Sequence, residues 1–161
     1  DSGFDLYASA DVIIEPGETA IVKTGIAVEL PAGYEAQIRP RSGVTAKTKL
    51  RVQLGTIDNE YRGELGVIVD NIYQPEFEED YDTGDIKSLH HRTKVVMHVD
   101  GGDEVLRAFE GWPWWGTYKI RKGDRLAQLV IQRLPETEAV EITEFSEDSE
   151  RGECGFGSTG V

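Results

Sequence analysis

Apolar residues in this chain come in short runs with turn chemistry between them, and that rhythm constrains the fold more than any other feature. Val12-Ile13-Ile14 gives way to Glu15-Pro16-Gly17-Glu18, and Ala20–Lys23 and Gly25–Leu30 lead to Pro31-Ala32-Gly33. Tyr34–Arg39 then alternates. Runs at this spacing predict an all-β sandwich or barrel. The pattern resumes at Thr117–Ile120, turns at Lys122-Gly123-Asp124-Arg125, and continues through Leu126–Gln132 as a buried strand. A last strand is expected over Pro135–Phe145. One short helix interrupts the series, predicted over Val44–Lys49 behind Pro40-Arg41-Ser42-Gly43, with Ser42 as its N-cap.

At the centre, Val52–Ile57 and Glu64–Val69 flank the polar tip Asp58-Asn59-Glu60, a pattern that predicts a β-hairpin. Gly55, Gly63 and Gly66 leave the backbone uncovered, so a flat ligand has access to main-chain N–H and C=O groups. Asp58 then stands at the mouth as a carboxylate with the ring of Tyr61 beside it. Taken alone, the same residues describe an ordinary hairpin tip.

The chain has 161 residues, enough for one domain with its own core. Its formal net charge of -13 opposes binding to nucleic acid, which needs a basic face. A polyanionic nucleotide fits only where arginines and a divalent cation reverse the field, and Arg41, Arg125 and Arg151 stand beside glycine-rich motifs. No apolar run is long enough for a membrane span, and there is no signal-peptide pattern. Cys154 is the only cysteine, which excludes an intrachain disulfide and points to a reducing, cytoplasmic setting. It reads as a tolerated small residue and not as a catalytic thiol. The first residue is Asp1, inside a motif, so a preceding segment is expected to be missing.

Between Tyr73 and Tyr118 the rhythm changes. Glu76-Phe77-Glu78-Glu79-Asp80-Tyr81-Asp82 is acidic with aromatics interleaved, Lys94–Val99 alternates like a strand, and Asp100-Gly101-Gly102 is a turn signal. Val105–Phe109 returns as a strand or a helical turn, and all three tryptophans fall in Trp112-Pro113-Trp114-Trp115. The stretch is far longer than an ordinary connection. His90, His91 and His98 lack a ligand spacing and read as solvated. The tryptophans serve either as a local core or as an anchor for a partner protein. Residues 146–161 are polar and glycine-rich, yet they hold Gly155-Phe156-Gly157-Ser158-Thr159-Gly160, which a linker does not require.

Five stretches therefore stand in order: residues 1–8, Pro40-Arg41-Ser42-Gly43, the central stretch, Gly123–Leu129, and Arg151–Gly160. In order and wording they resemble the five motifs of the trimeric dUTPases. The resemblance runs end to end, interrupted only between Tyr73 and Tyr118, an insertion expected to form a small subdomain. Departures are slight: Ser2 stands where alanine is common and Cys154 where glycine is usual.

The resemblance implies a jelly-roll-like, β-clip subunit, a homotrimer, and hydrolysis of dUTP to dUMP and pyrophosphate with Mg2+. Main-chain groups of Gly55, Ile57 and Gly66 would hold uracil, and Tyr61 would pack on the sugar. Arg41, Ser42, Gly43, Arg125 and Gln128 of a second chain would grip the phosphates. Arg151, Phe156, Gly157, Ser158 and Thr159 of a third would close over them as a C-terminal arm. Asp58 would be the general base, and Asp5 would face hydrated magnesium through water. The insertion resembles those of phage-encoded dUTPases, some of which bind a repressor protein. Two rivals remain: a dCTP deaminase of the same fold, and a regulatory binding module in which catalysis is secondary.

Overall fold

The computed structural model describes residues 2–74, 77–79, 82–84, 86–88, 93, 95–105 and 113–144. In chain order it contains β1 (Phe4–Tyr7), β2 (Val12–Ile14), β3 (Thr19–Lys23), β4 (Tyr34–Pro40), α1 (Ser42–Lys47), β5 (Leu50–Val52), β6 (Gly55–Ile57) and β7 (Gly66–Asn71). Then follow β8 (Phe77–Glu79), β9 (Ile86–Ser88), β10 (Val95–Met97), β11 (Asp103–Val105), β12 (Tyr118–Ile120) and β13 (Arg125–Arg133). Strands dominate and one short helix interrupts them, as the turn chemistry predicts. The sheets are open, so the sandwich alternative holds and the closed barrel does not.

One sheet has the order β1-β13-β4-β6, a second β11-β10-β12-β2, and a third β3-β7-β5, while β8 pairs with β9. Among the described residues all pairings are antiparallel except β10 with β12. Period-2 alternation sets the core. On β7, Val67, Val69 and Asn71 face inward, and Ile68 faces out. Val67 and Val69 belong to one core with Val22 of β3, Leu50 of β5, Ala36 and Ile38 of β4, and Leu126, Ala127 and Leu129 of β13. Burial of this kind stabilises by about 25 cal/mol per Å² of apolar surface.

Four expectations need correction. The central stretch is not a simple hairpin: β7 pairs with β3 and β5, whereas β6 crosses to pair with β4. The arms separate because the β5–β7 ladder ends once the Gln53 N–H reaches the Ile68 carbonyl, after which Gly55 lies opposite Ile38. Gly25–Leu30 forms no strand, because its main chain is used one bond at a time, the Ile26 carbonyl accepting the Leu65 N–H. Residues 134–144 are likewise not a strand; their side chains are exposed, and among the described residues the alternation has no partner strand. On β13, burial stops short of Ile131, Gln132 and Arg133.

Candidate active site

Motif one is fixed by a close approach. A Cβ on Gly3 would stand 2.8 Å from the Leu129 carbonyl oxygen, so only glycine lets β1 lie this tightly on β13. That register sets Asp5 opposite Gln128 and Gln128 opposite Arg39, three side chains on one face. A shift between Leu6 and Tyr7 then brings Tyr7 opposite Arg125.

The strand β4 runs to Pro40 and α1 begins at once. Its N-cap is Arg41 and not Ser42: Arg41 is extended (φ -91°, ψ 131°), and its carbonyl accepts the Thr45 N–H at 3.1 Å. The helix must start this early for Val44 to reach the core, which makes Ser42 its first residue. The Arg41 side chain makes no cap and turns to Asp5, donating from Nη1 to Oδ1. The guanidinium of Arg125 stands 3.5 Å from the other oxygen of Asp5.

Gly3, Phe4, Asp5, Tyr7, Arg41, Arg125 and Gln128 line a cleft of about 560 Å³. A smaller one of about 80 Å³ lies between Arg41, Ser42, Gly43 and Gln128. Two guanidiniums and one carboxylate leave this region cationic in a chain of charge -13. Phosphate oxygens match such a fork. Gly3 and Tyr7 were not singled out from the sequence, although strand alternation from Asp5 leads to Tyr7.

The residues of the central stretch gather elsewhere. Ile57 pairs with Ala36, so Asp58 emerges at the opposite end of β4 from Arg41. Arg41 lies five steps along the chain from Ala36, roughly 16 Å at about 3.3 Å per strand residue. Around Asp58 the loop is closed by the Tyr61 N–H on the Asp58 carbonyl at 3.1 Å and by the Tyr61 hydroxyl on the Glu64 carbonyl at 3.0 Å. The glycines have packing reasons of their own. A Cβ on Gly63 would strike the Tyr61 ring, and one on Gly66 would stand 2.6 Å from an Ile21 methyl. Gly55 meets Ile38 at an ordinary 3.6 Å.

Arg151, Phe156, Gly157, Ser158 and Thr159 lie outside the described residues, as do Cys154, His90, His91 and Trp112. His98 is not solvated but buried: its Nδ1 is 3.0 Å from the Lys119 carbonyl and its Nε2 3.3 Å from Glu104. Lys119 binds the same carboxylate at 2.7 Å, which holds Glu104 below its ordinary pKa. Trp115 is exposed and Trp114 half-buried. Among the described residues no cluster of three or more His, Cys, Asp or Glu could cage a metal ion, and no helix is long and apolar enough to cross a membrane.

The family model for dUTPase matches residues 1–82 and 116–160. The chain belongs to the dUTPase family. A deoxyuridine 5'-triphosphate nucleotidohydrolase of Nautilia profundicola is 37% identical over 161 residues, covering 99% of this chain and 84% of that protein. The enzyme of the same name from Thermobifida fusca is 39% identical, covering 99% of this chain and 68% of its own. Among solved structures, the dUTPase of Staphylococcus bacteriophage 80alpha with dUPNHPP superposes with a TM-score of 0.83. It is 37% identical, and the match covers all of this chain and 87% of that one. A dUTPase from phage phi11 of S. aureus, solved to visualise its species-specific insert, gives a TM-score of 0.75 at 34% identity over 91% of this chain and 85% of that one.

Proposed function

We propose that this dUTPase hydrolyses dUTP to dUMP and pyrophosphate in sites shared between copies of the chain. The observation that carries it is the cleft in which Arg41 and Arg125 converge on Asp5, with Gln128 alongside, while Asp58 and Tyr61 leave the far end of β4. Within one chain the phosphate grip and the general base leave β4 at opposite ends. A homotrimer joins them: the central stretch of one subunit meets the arginine cleft of the next, and residues 151–159 of a third cover both.

Uracil lies against the main chain of Gly55, Ile57 and Gly66, with Tyr61 packed on the sugar. Cytosine reverses the donor and acceptor pattern there and leaves buried groups unpaired, which discriminates by a factor of roughly ten thousand. Arg41, Ser42, Gly43, Arg125 and Gln128 hold the phosphates, and Arg151, Phe156, Gly157, Ser158 and Thr159 exclude bulk water. Asp58 takes a proton from a water whose oxygen bonds to the α-phosphorus. The bond from that phosphorus to the bridging oxygen breaks, and pyrophosphate leaves.

Both oxygens of Asp5 are engaged by arginines, and among the described residues no carboxylate cluster stands ready to cage a cation, so a magnesium ion would be held chiefly by the substrate's phosphates and would meet Asp5 only through water. Such an ion would spread the phosphates' negative charge. A phage phi11 dUTPase is described with a structural Mg(II) ion.

A second reading adds a regulatory protein, such as a repressor, bound through residues 73–118. Phage 80alpha dUTPases, whose described role is control of the transfer of virulence genes, support it. Deleting that stretch is a poor test, because β10 pairs with β12. The exposed Trp115 is the better target: Trp115→Ala should weaken capture of a repressor and leave hydrolysis intact, and equal capture would reject the reading.

The primary test incubates the chain with dUTP and magnesium and measures pyrophosphate, with dCTP in parallel and ammonia as the readout. Pyrophosphate from dUTP alone is expected. Ammonia from dCTP would favour a deaminase.

A further inference from the structure

We propose that Arg121 is a positioning residue for the triphosphate end of the site, bracing the turn that delivers Arg125 and fastening it to the loop between β10 and β11. This rests on Arg125 gripping phosphate, as argued above. Arg121 follows β12 directly. Its main-chain N–H donates to Asp124 Oδ2 at 2.8 Å, and its guanidinium reaches the two Asp124 oxygens at 3.3 and 3.4 Å. The Gly123 N–H donates to the Ala8 carbonyl at 2.8 Å and the Ala8 N–H to the Asp124 carbonyl at 3.0 Å, so the turn is laced to the end of β1. Gly123 sits at φ +90°, a conformation that glycine adopts without strain. Arg125 follows two residues later, directly after Asp124.

The same guanidinium donates to Asp100 Oδ2 at 2.9 Å. Asp100 is itself fixed by the Gly102 N–H at 2.9 Å, and that bond, followed by Arg121, holds its carboxyl below the ordinary aspartate pKa. Beside it, Gly101 lies against α1, where a Cβ would stand 3.6 Å from that of Lys47. The loop is thus bonded to the Arg125 turn through Arg121 and runs close beside the helix that follows Arg41 at Gly101. Arg121, Asp100, Asp124, Arg41 and Arg125 all border one cleft of about 330 Å³. With carboxylates on two sides, Arg121 has its charge offset, which suits a strut and not a phosphate ligand.

The predicted signature separates phosphate grip from base recognition, because dUMP lacks the β- and γ-phosphates. In the full-length chain, Arg121→Met is expected to raise the KM for dUTP about tenfold, to change kcat by less than about threefold, and to leave the Kd for dUMP within about twofold. Asp100→Asn should shift the dUTP-to-dUMP ratio the same way by a smaller factor. Arg121→Lys should recover only part of the loss, since an ammonium cannot span both carboxylates. A role confined to stability would lower Tm and leave that ratio at the wild-type value in both Arg121→Met and Asp100→Asn, and this result overturns the proposal. If Arg121→Met does not fold, Asp100→Asn on its exposed loop decides alone. Arg125→Ala serves as the reference: an unchanged KM there would reject Arg125 as a phosphate ligand and the Arg121 proposal with it. A raised KM there with an unmoved ratio in the other two variants rejects Arg121 only.

Discussion

The ring of Tyr61 occupies the place where a side chain on Gly63 would stand, with Tyr61 Cε2 3.0 Å from the Cβ position and the phenol oxygen nearer still. The hydroxyl closes the loop on the Glu64 carbonyl. Gly63 is therefore a condition for where Tyr61 points. Gly63→Ala is expected to displace the ring, raise the KM for dUTP about tenfold, and move Tm only a few degrees. Steady-state kinetics with a parallel melt checks this; a wild-type KM would show that the ring tolerates displacement.

Asp58→Asn keeps the shape of the side chain and removes the proton acceptor. Turnover should fall about a hundred- to ten-thousand-fold, with affinity for a non-hydrolysable dUTP analogue retained. Turnover within a few-fold of wild type would remove Asp58 from the mechanism.

Sites shared between chains predict complementation. Asp58→Asn and Arg41→Ala chains, each inactive alone, should regain roughly a quarter of wild-type turnover when unfolded and refolded together in equal amounts, since one site in four then receives both intact halves. No recovery, with mixed oligomers verified by mass spectrometry, would place each site within one chain.

Asn71 is buried, and its amide donates to the Ile14 carbonyl at 3.0 Å and the Gly116 carbonyl at 2.9 Å. Asn71→Ala strips two carbonyls of their donor and should destabilise by about 2–5 kcal/mol. A denaturant titration measures this directly; a loss below 1 kcal/mol, about the worth of one ordinary hydrogen bond, would mean that water takes over both bonds.

Asp11, Asp70, Asp100 and Glu104 all have folded-state pKa values held below their ordinary ones: Asp11 chiefly by the Lys122 N–H, Asp70 by Thr19, Asp100 by the Gly102 N–H and Glu104 by Lys119. A lowered folded pKa contributes stability that is complete above the unfolded value and lost as pH falls through the folded one. Lys119 is raised, first by Glu104, so its contribution is complete below its ordinary pKa and lost only in strong alkali. These groups should thus hold their contribution to Tm from about pH 8 to 5 and lose it below about pH 4. A decline that begins near pH 6 would implicate other groups.

The strands were legible in the sequence because turn residues announce where runs begin and end. Partners were not. Nothing in Leu54–Val67 shows that β6 leaves β7 for β4, since period and glycine content specify a strand and its faces but not its neighbour across the sheet. Gly25–Leu30 and Pro135–Phe145 carry strand-like patterns without a ladder to join. Asp5, Arg41, Arg125 and Gln128 were singled out because the order of short motifs marks them, and the fold brings these four to one cleft. The bracing by Arg121 was invisible because its two carboxylates lie on different turns. The early start of α1 was missed because serine's capping preference outweighed, on paper, the need of Val44 to reach the core.

Asn71 carries a last consequence. Its side chain holds Gly116, and its own Oδ1 accepts the Tyr73 N–H at 3.0 Å, so a single amide clasps both ends of the excursion that departs after β7 and comes back before β12. The doorway is the same width whatever passes through it. The part of that excursion ahead of β10 is therefore the part a lineage can lengthen, shorten or exchange as a cassette, and an engineer grafting a foreign loop there should keep β10 against β12 and Asp100 against Arg121.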